Sequence, residues 1–328
     1  MIQEEKTELT EKTELTAGEK VKELQKELTW SFPNIAKEAP SQKEEAFEYC
    51  EAYKAFLDCA KTEREFTQAA VKLLNEAGYA PFEKGRDYKA GDKVYYVNRK
   101  KSLIMTTFGQ REIGAGVRLN VAHIDSPRLD LKPNPMYEKA EMAFFKTHYY
   151  GGIRKYQWAA IPLAMHGVVV KKDGEITDIR IGEEEGDPVF CVTDLLPHLA
   201  ADQNERKLKD GIKGEELNVI IGSLPFTADE DIKEPVKLLA LSVLNEKYGM
   251  TEKDFIRAEI EIVPAFKAVD VGLDRSMVGA YGQDDRVCAY TALTAEMASI
   301  EPEYTTVTVL ADKEEIGSDG VSGMQSQA

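Results

Sequence analysis

Three short motifs carry the residue types that bind metal and move protons: His123-Ile124-Asp125, Asp284-Asp285 and Glu314-Glu315. A hydrolytic site built on two metal ions needs an imidazole, a carboxylate that bridges the ions, a terminal carboxylate and a free carboxylate that takes a proton from water. The three motifs can supply one of each. Singly, each also has an ordinary explanation. A lone His-x-Asp describes a surface histidine beside an acid, and two aspartates before a helix make an N-cap in a favourable dipole. Paired glutamates recur at Glu4-Glu5, Glu44-Glu45, Glu183-Glu184-Glu185 and Glu215-Glu216. Context separates Glu314-Glu315 from these: it follows the β-branched apolar run 305–310 and precedes Gly317-Ser318, where the backbone can turn sharply.

The elements around the motifs must bring them together. The apolar run 117–122 ends at His123, which puts that motif at a strand end, the edge where open α/β sheets bind ligands. Residues i and i+2 of a strand share a face, so Asp125 is placed to accept the ring N–H of His123 and fix its tautomer. Ser126-Pro127 and Lys132-Pro133 mark a rigid loop behind it. Asp284-Asp285 opens a helix over about 286–299, and a metal role needs one of the pair to lie between the two cations.

Upstream, the pattern over 44–77 predicts two helices, divided by a Thr62/Glu65 capping box and closed by Gly78, with strands at 93–98, 102–107 and 117–122. Between about 134 and 270 the character changes. Tyr149-Tyr150-Gly151-Gly152 appears, then a hairpin signal at Lys172-Asp173-Gly174 between 168–171 and 176–181, then a helix beginning at Pro235 and ending before Gly249. These patterns predict an α/β fold, a mixed sheet flanked by helices, carrying an inserted mostly β domain. The expected division is a polar tail over 1–30 that includes a repeated hexamer, a catalytic α/β domain from 31–133 and 271–328, and an insert at 134–270.

The 58 acidic and 42 basic residues give a net charge of -16, which repels nucleic acid and anionic membranes unless a basic patch intervenes. Arg99-Lys100-Lys101 and the group Arg206, Lys207 and Lys209 are short and read as solvated turns. No run is long enough to span a bilayer and residues 1–5 show neither a basic n-region nor an apolar h-region, so neither nucleic acid nor membrane is expected as a partner and a cytoplasmic location is. Cys50, Cys59, Cys191 and Cys288 lack CxxC spacing and read as reduced, mostly buried thiols. His148, His166 and His198, without acidic neighbours at ligand spacing, read as structural or surface. The aromatics Tyr149, Tyr150, Tyr156 and Trp158 fit a packed hairpin corner or an interface loop, and no chemistry is assigned there.

Val121-Ala122-His123-Ile124-Asp125-Ser126-Pro127-Arg128-Leu129-Asp130-Leu131-Lys132-Pro133, then Gln283-Asp284-Asp285, then Asp312-Lys313-Glu314-Glu315-Ile316-Gly317-Ser318 resemble, in order and spacing, the motifs of the aspartyl aminopeptidase family of dinuclear zinc aminopeptidases, in its bacterial-type branch. The likeness runs from the helices near Glu44 onward. It implies a zinc-exopeptidase-like fold with His123 as ligand of one zinc, Asp284 as bridging carboxylate followed by a cis peptide bond, and Glu315 as ligand of the other zinc. It also implies Glu314 as general base and Asp125 as the acid that orients His123.

The reaction implied is removal of an N-terminal residue, acidic in part of the family, from a peptide substrate. Water activated by the zincs, or by other divalent ions, gives a proton to Glu314, which returns it to the leaving amine. A homo-oligomer, a dodecamer contacted through the insert, is implied as well. Tyr156 stands where other members carry a histidine. Members also continue to a further aspartate and a late histidine, so this chain is expected to be truncated on its C-terminal side and its zincs underligated. The alternatives are a non-catalytic homologue or fragment serving as scaffold or peptide-binding subunit, and a metal-dependent deacylase using the same trio.

Overall fold

The computed structural model describes residues 16–30, 32, 34–227 and 232–326. The chain divides into two compact units, Met1–Cys50 and Glu51–Ala328. Of the repeated hexamer only Thr16 lies among the described residues, and it caps a helix, Ala17–Leu28. Its side chain accepts from Glu19 N while the Glu19 carboxylate reaches back, a complete capping box. This helix buries no side chain, so the described part of the polar tail is a solvated helix.

The second unit contains two large sheets and a two-stranded ribbon, Val269–Val271 paired with Met277–Gly279. Its strands, in chain order, are β1 (Ala80–Pro81), β2 (Lys93–Asn98), β3 (Ser102–Thr107), β4 (Val117–His123), β5 (Arg128–Lys139), β6 (Met142–Tyr150), β7 (Leu163–Val170), β8 (Ile176–Ile181), β9 (Cys191–Val192), β10 (Val219–Gly222), β11 (Ala258–Pro264), β12 (Val269–Val271), β13 (Met277–Gly279) and β14 (Thr305–Ala311). The first sheet runs β1-β2-β3-β14-β4 and is mixed: β14 is antiparallel to β3 and parallel to β4. Helices Glu63–Glu76 and Gln283–Met297 pack on it through Phe66, Leu74, Ala289 and Leu293, against Leu103, Met105 and Leu310. The Thr62/Glu65 capping box forms as the sequence predicts, with both bonds at 3.2 Å. The expected α/β fold with a mixed sheet and flanking helices is the one found.

The second sheet runs β8-β7-β11-β5-β6-β10-β9, antiparallel at every pairing, over a core that includes Leu129, Phe145, Leu163, Met165 and Ile262. The Lys172-Asp173-Gly174 turn joins β7 to β8 as expected. The loop expected at Lys132-Pro133 is instead strand. The β5–β6 register shifts between Leu131 and Met136, and an irregularity of that kind tolerates the missing proline N–H.

Two other expectations change once the structure is known, and the structural reading of His166 gains its partners. Lys101 is buried and ion-paired to Glu63 and Glu259, so the 99–101 run is not simply a solvated turn. His166 is fully buried between Glu65 (2.7 Å) and Glu183 (3.1 Å), acidic partners that are distant in sequence. The four cysteines are free, but Cys59 and Cys288 are exposed and Cys50 and Cys191 half-buried, because each lies on a partly solvated face.

Candidate metal centre

The pairing of β14 beside β4 assembles the site. Ala311 lies opposite His123, and Ile124 N donates to Ala311 O at 2.9 Å, so the chain that leaves β14 turns directly next to the histidine. That turn carries Glu314 and Glu315. Its main chain is fixed by Asp125, whose side chain is fully buried: Glu314 N and Glu315 N donate to its carboxylate at 3.1 and 3.2 Å, and Tyr150 OH donates at 2.7 Å. With the carboxylate taken by these three donors, the His123 ring finds another acceptor. Nδ1 lies 3.2 Å from the Asp125 carbonyl oxygen and 3.7 Å from its carboxylate, so the bond expected to the side chain is made to the main chain. A carbonyl can only accept, so Nδ1 carries the proton and Nε2 is left as a ligand atom.

The third motif enters on the helix Gln283–Met297, which begins at Gly282 in a left-handed conformation (φ 71°). A Cβ there would collide with the Arg286 guanidinium, so only glycine suits this corner. Successive helix residues point roughly 100° apart, so only one aspartate of the pair can face His123. It is Asp285, 2% exposed, with Oδ1 at 3.9 Å from His123 Nδ1. Asp284, the residue whose motif position matches the bridging carboxylate, is exposed and lines the adjoining cleft. The bond expected to be cis is trans: among the described residues there is no cis peptide.

Burial and the neighbouring Asp285 carboxylate push the Glu315 carboxyl up to about 7, the behaviour of two crowded carboxylates. Glu315 passes over Gly151 (φ 70°), where a Cβ would lie 2.9 Å from its Oε2. Tyr150 and Gly151 are thus the site residues that sequence reasoning missed, and of the Asp284-Asp285 pair it is the second that faces His123; the glycine pair closing β6 was the one available signal. The cleft beside them, about 690 Å³, is walled by Trp158, Phe266 and Tyr281, with Arg154 as its one basic side chain.

The model of the aminopeptidase I zinc metalloprotease (M18) family matches residues 56–328. A probable M18 family aminopeptidase 1 of Clostridium acetobutylicum is 50% identical over 290 residues, 87% of this chain and 62% of its own length. This chain belongs to the M18 family. Among solved structures, the M18 aminopeptidase of Thermotoga maritima is similar with a TM-score of 0.85 and 45% identity, over 91% of this chain and 65% of that one. The more distant mApe1 dodecamer of S. cerevisiae, 18% identical with a TM-score of 0.63 over 83% of this chain and 62% of that one, shares the fold. The M18 chain described here thus spans just under two thirds of the length of these relatives.

Zinc fits the residues that meet here. Asp285 Oδ1 is buried without a hydrogen-bond partner, and an imidazole nitrogen with carboxylate oxygens is a donor set that zinc accepts. A tighter acidic group, Glu63, Glu259 and Glu261, has oxygens within 4.8 Å of one another, but Lys101, Arg64 and Arg128 already neutralise it. Its cations are side chains of the protein itself, and it is a salt-bridge network.

The protonation states give a pH signature. Asp125 raises His123 to about 9, and Glu315 titrates at about 7. As zinc ligands both would have to lose their protons, so protons would compete at His123 below the first value and at both groups below the second. Zinc affinity is therefore expected to fall by about tenfold per pH unit on acidification above neutrality, and by up to about a hundredfold per unit below it. Chelator competition from pH 6 to 8.5 measures the slope. A slope near one throughout would remove Glu315 from the ligand set.

Proposed function

We propose that this M18 chain acts as a zinc-dependent aminopeptidase that removes N-terminal residues from peptides, acidic ones among them. The observation that carries the reading is the meeting of His123 with Asp285 and of Asp285 with Glu315, the two carboxylates lining an open cleft. His123 would hold one zinc, Glu315 the other, and the Asp284-Asp285 pair would supply the bridge. Motif position favours Asp284 for that role, and proximity to His123 favours Asp285. Bound zinc would supply Lewis-acid polarisation of the scissile carbonyl and acidify water.

The protein's own groups do the rest. Glu314 takes the proton of the attacking water and returns it to the leaving nitrogen. Asp125 holds the Glu314-Glu315 turn through its two N–H groups and, through its carbonyl, the His123 tautomer. The cleft seats the peptide, with Arg154 available to an acidic side chain. In this reading 31–133 and 271–328 form the catalytic domain and 134–270 an inserted domain. The insert makes contacts in a homo-oligomer, a dodecamer by likeness to the yeast relative. A cytoplasmic setting suits a chain in which no described helix is long and apolar enough to cross a membrane.

Elemental mass spectrometry on protein purified without chelator, paired with an aminoacyl-p-nitroanilide panel, tests the proposal. About two zincs per chain and cleavage abolished by EDTA are expected. Metal well below one per chain would sink it.

A further inference from the structure

We propose that Tyr150 and Arg128 are positioning residues for the metal centre: they set the Asp125 carboxylate, and through it the Glu314-Glu315 turn. The proposal deepens the zinc reading above and rests on it. The register of β5 and β6 places Arg128 directly opposite Tyr150, and the guanidinium lies 3.8 Å from the centre of the phenol ring. A second cation, Lys313 Nζ, sits 5.1 Å from the same ring. Arg128 is itself immobilised by Glu63 and Glu261, each at 3.3 Å, and by Asp130 at 2.9 Å. A buried ring held against a cation whose own place is fixed, as that of Arg128 is, has little freedom. Its hydroxyl donates to Asp125 Oδ2, and burial with the Asp125 charge pushes the phenol well above its usual pKa, so it remains a donor.

The source of each Asp125 contact is what makes Tyr150 matter. The two main-chain donors, Glu314 N and Glu315 N, belong to the turn that Asp125 positions. They cannot also be its independent reference. Tyr150 ends a strand of the seven-stranded sheet, whereas the turn leaves β14 of the five-stranded one. The Tyr150 hydroxyl therefore ties the carboxylate to a second, rigid frame.

Tyr150→Phe tests this in the full 328-residue chain, because it keeps the ring and its cations and removes only the hydroxyl. In the chain stripped of metal, amide hydrogen exchange at Glu314 and Glu315 is expected to quicken about tenfold or more, the loss appropriate to one hydrogen bond to a charged group. Zinc binding is expected to weaken by about 10–100-fold, with an altered cobalt(II) absorption spectrum. Unchanged exchange overturns the proposal, whatever the metal does. Faster exchange in a chain that binds no zinc in either form overturns the zinc reading and leaves the positioning of the turn standing.

Discussion

Glu314→Gln is expected to lower kcat for release of an N-terminal residue by about 10²–10⁴ while zinc content stays at the wild-type level. An amide has the size and polarity of the carboxyl but cannot take up a proton, so the substitution removes the proposed base and little else. Glu314 is exposed and its main chain is fixed by the N–H bond to Asp125, which the substitution leaves intact. Folding stability should therefore move by no more than about 0.5 kcal/mol. Glu315→Gln provides the contrast. Its side chain lies against Asp285 over Gly151, and losing its charge should lower bound zinc as well as turnover. Parallel measurement of metal content and steady-state rates separates the two glutamates. Equal zinc loss in both variants would make Glu314 a ligand, and near-normal turnover in Glu314→Gln would remove it from proton transfer.

The two glutamates can be told apart because their surroundings differ, and those surroundings were only partly legible beforehand. Where a signal is local, the sequence carries it. β2 and β3 occupy the ranges that β-branched and aromatic runs mark, the Thr62/Glu65 box caps its helix, and the 172–174 turn closes its hairpin. The three motifs could be named as partners because each has the chemistry; one strand pairing, β14 beside β4, unites two of them, and the helix Gln283–Met297 brings in the third.

Rotation and tertiary contact were not legible. Which of Asp284 and Asp285 faces His123 depends on how a helix is rolled on its sheet, and the roughly 100° step between neighbours changes the answer with small changes in packing. Tyr150 acts across two sheets, and nothing within ten residues of it in sequence indicates Asp125 as its acceptor. His166 and Lys101 look solitary for the same reason: their carboxylate partners arrive from other strands and helices. Lys132-Pro133 looks like a loop because proline usually ends a strand, and the register shift in β5 that accommodates it is visible only against β6.

The network around Arg128 supports the second large effect. Arg128→Met is expected to destabilise the metal-free chain by about 3–5 kcal/mol at pH 7, read from urea unfolding. The side chain is 3% exposed and faces three carboxylates, of which Glu63 and Glu261 are themselves buried. Methionine fills much of the volume, so the loss measures uncompensated charge more than a cavity. Burial works against the charge on Glu63, but Arg128 and Lys101 outweigh it and hold that carboxyl well below the usual range. A depressed carboxylate pKa contributes stability above its unfolded value and loses it as pH falls through the folded one. Removing the arginine removes that contribution, so the difference between variant and wild type should be widest near neutrality and shrink toward pH 4, where the stranded carboxyls can take up protons. Adding Glu63→Gln to the methionine variant should recover part of the loss at pH 7 and flatten its pH dependence, because the main charge left without a partner is then gone. Glu261, whose carboxyl burial pushes up to about 8, carries little charge at that pH. A loss below about 1 kcal/mol, within the range of an exposed ion pair, would mean that Arg128 is anchored by packing alone.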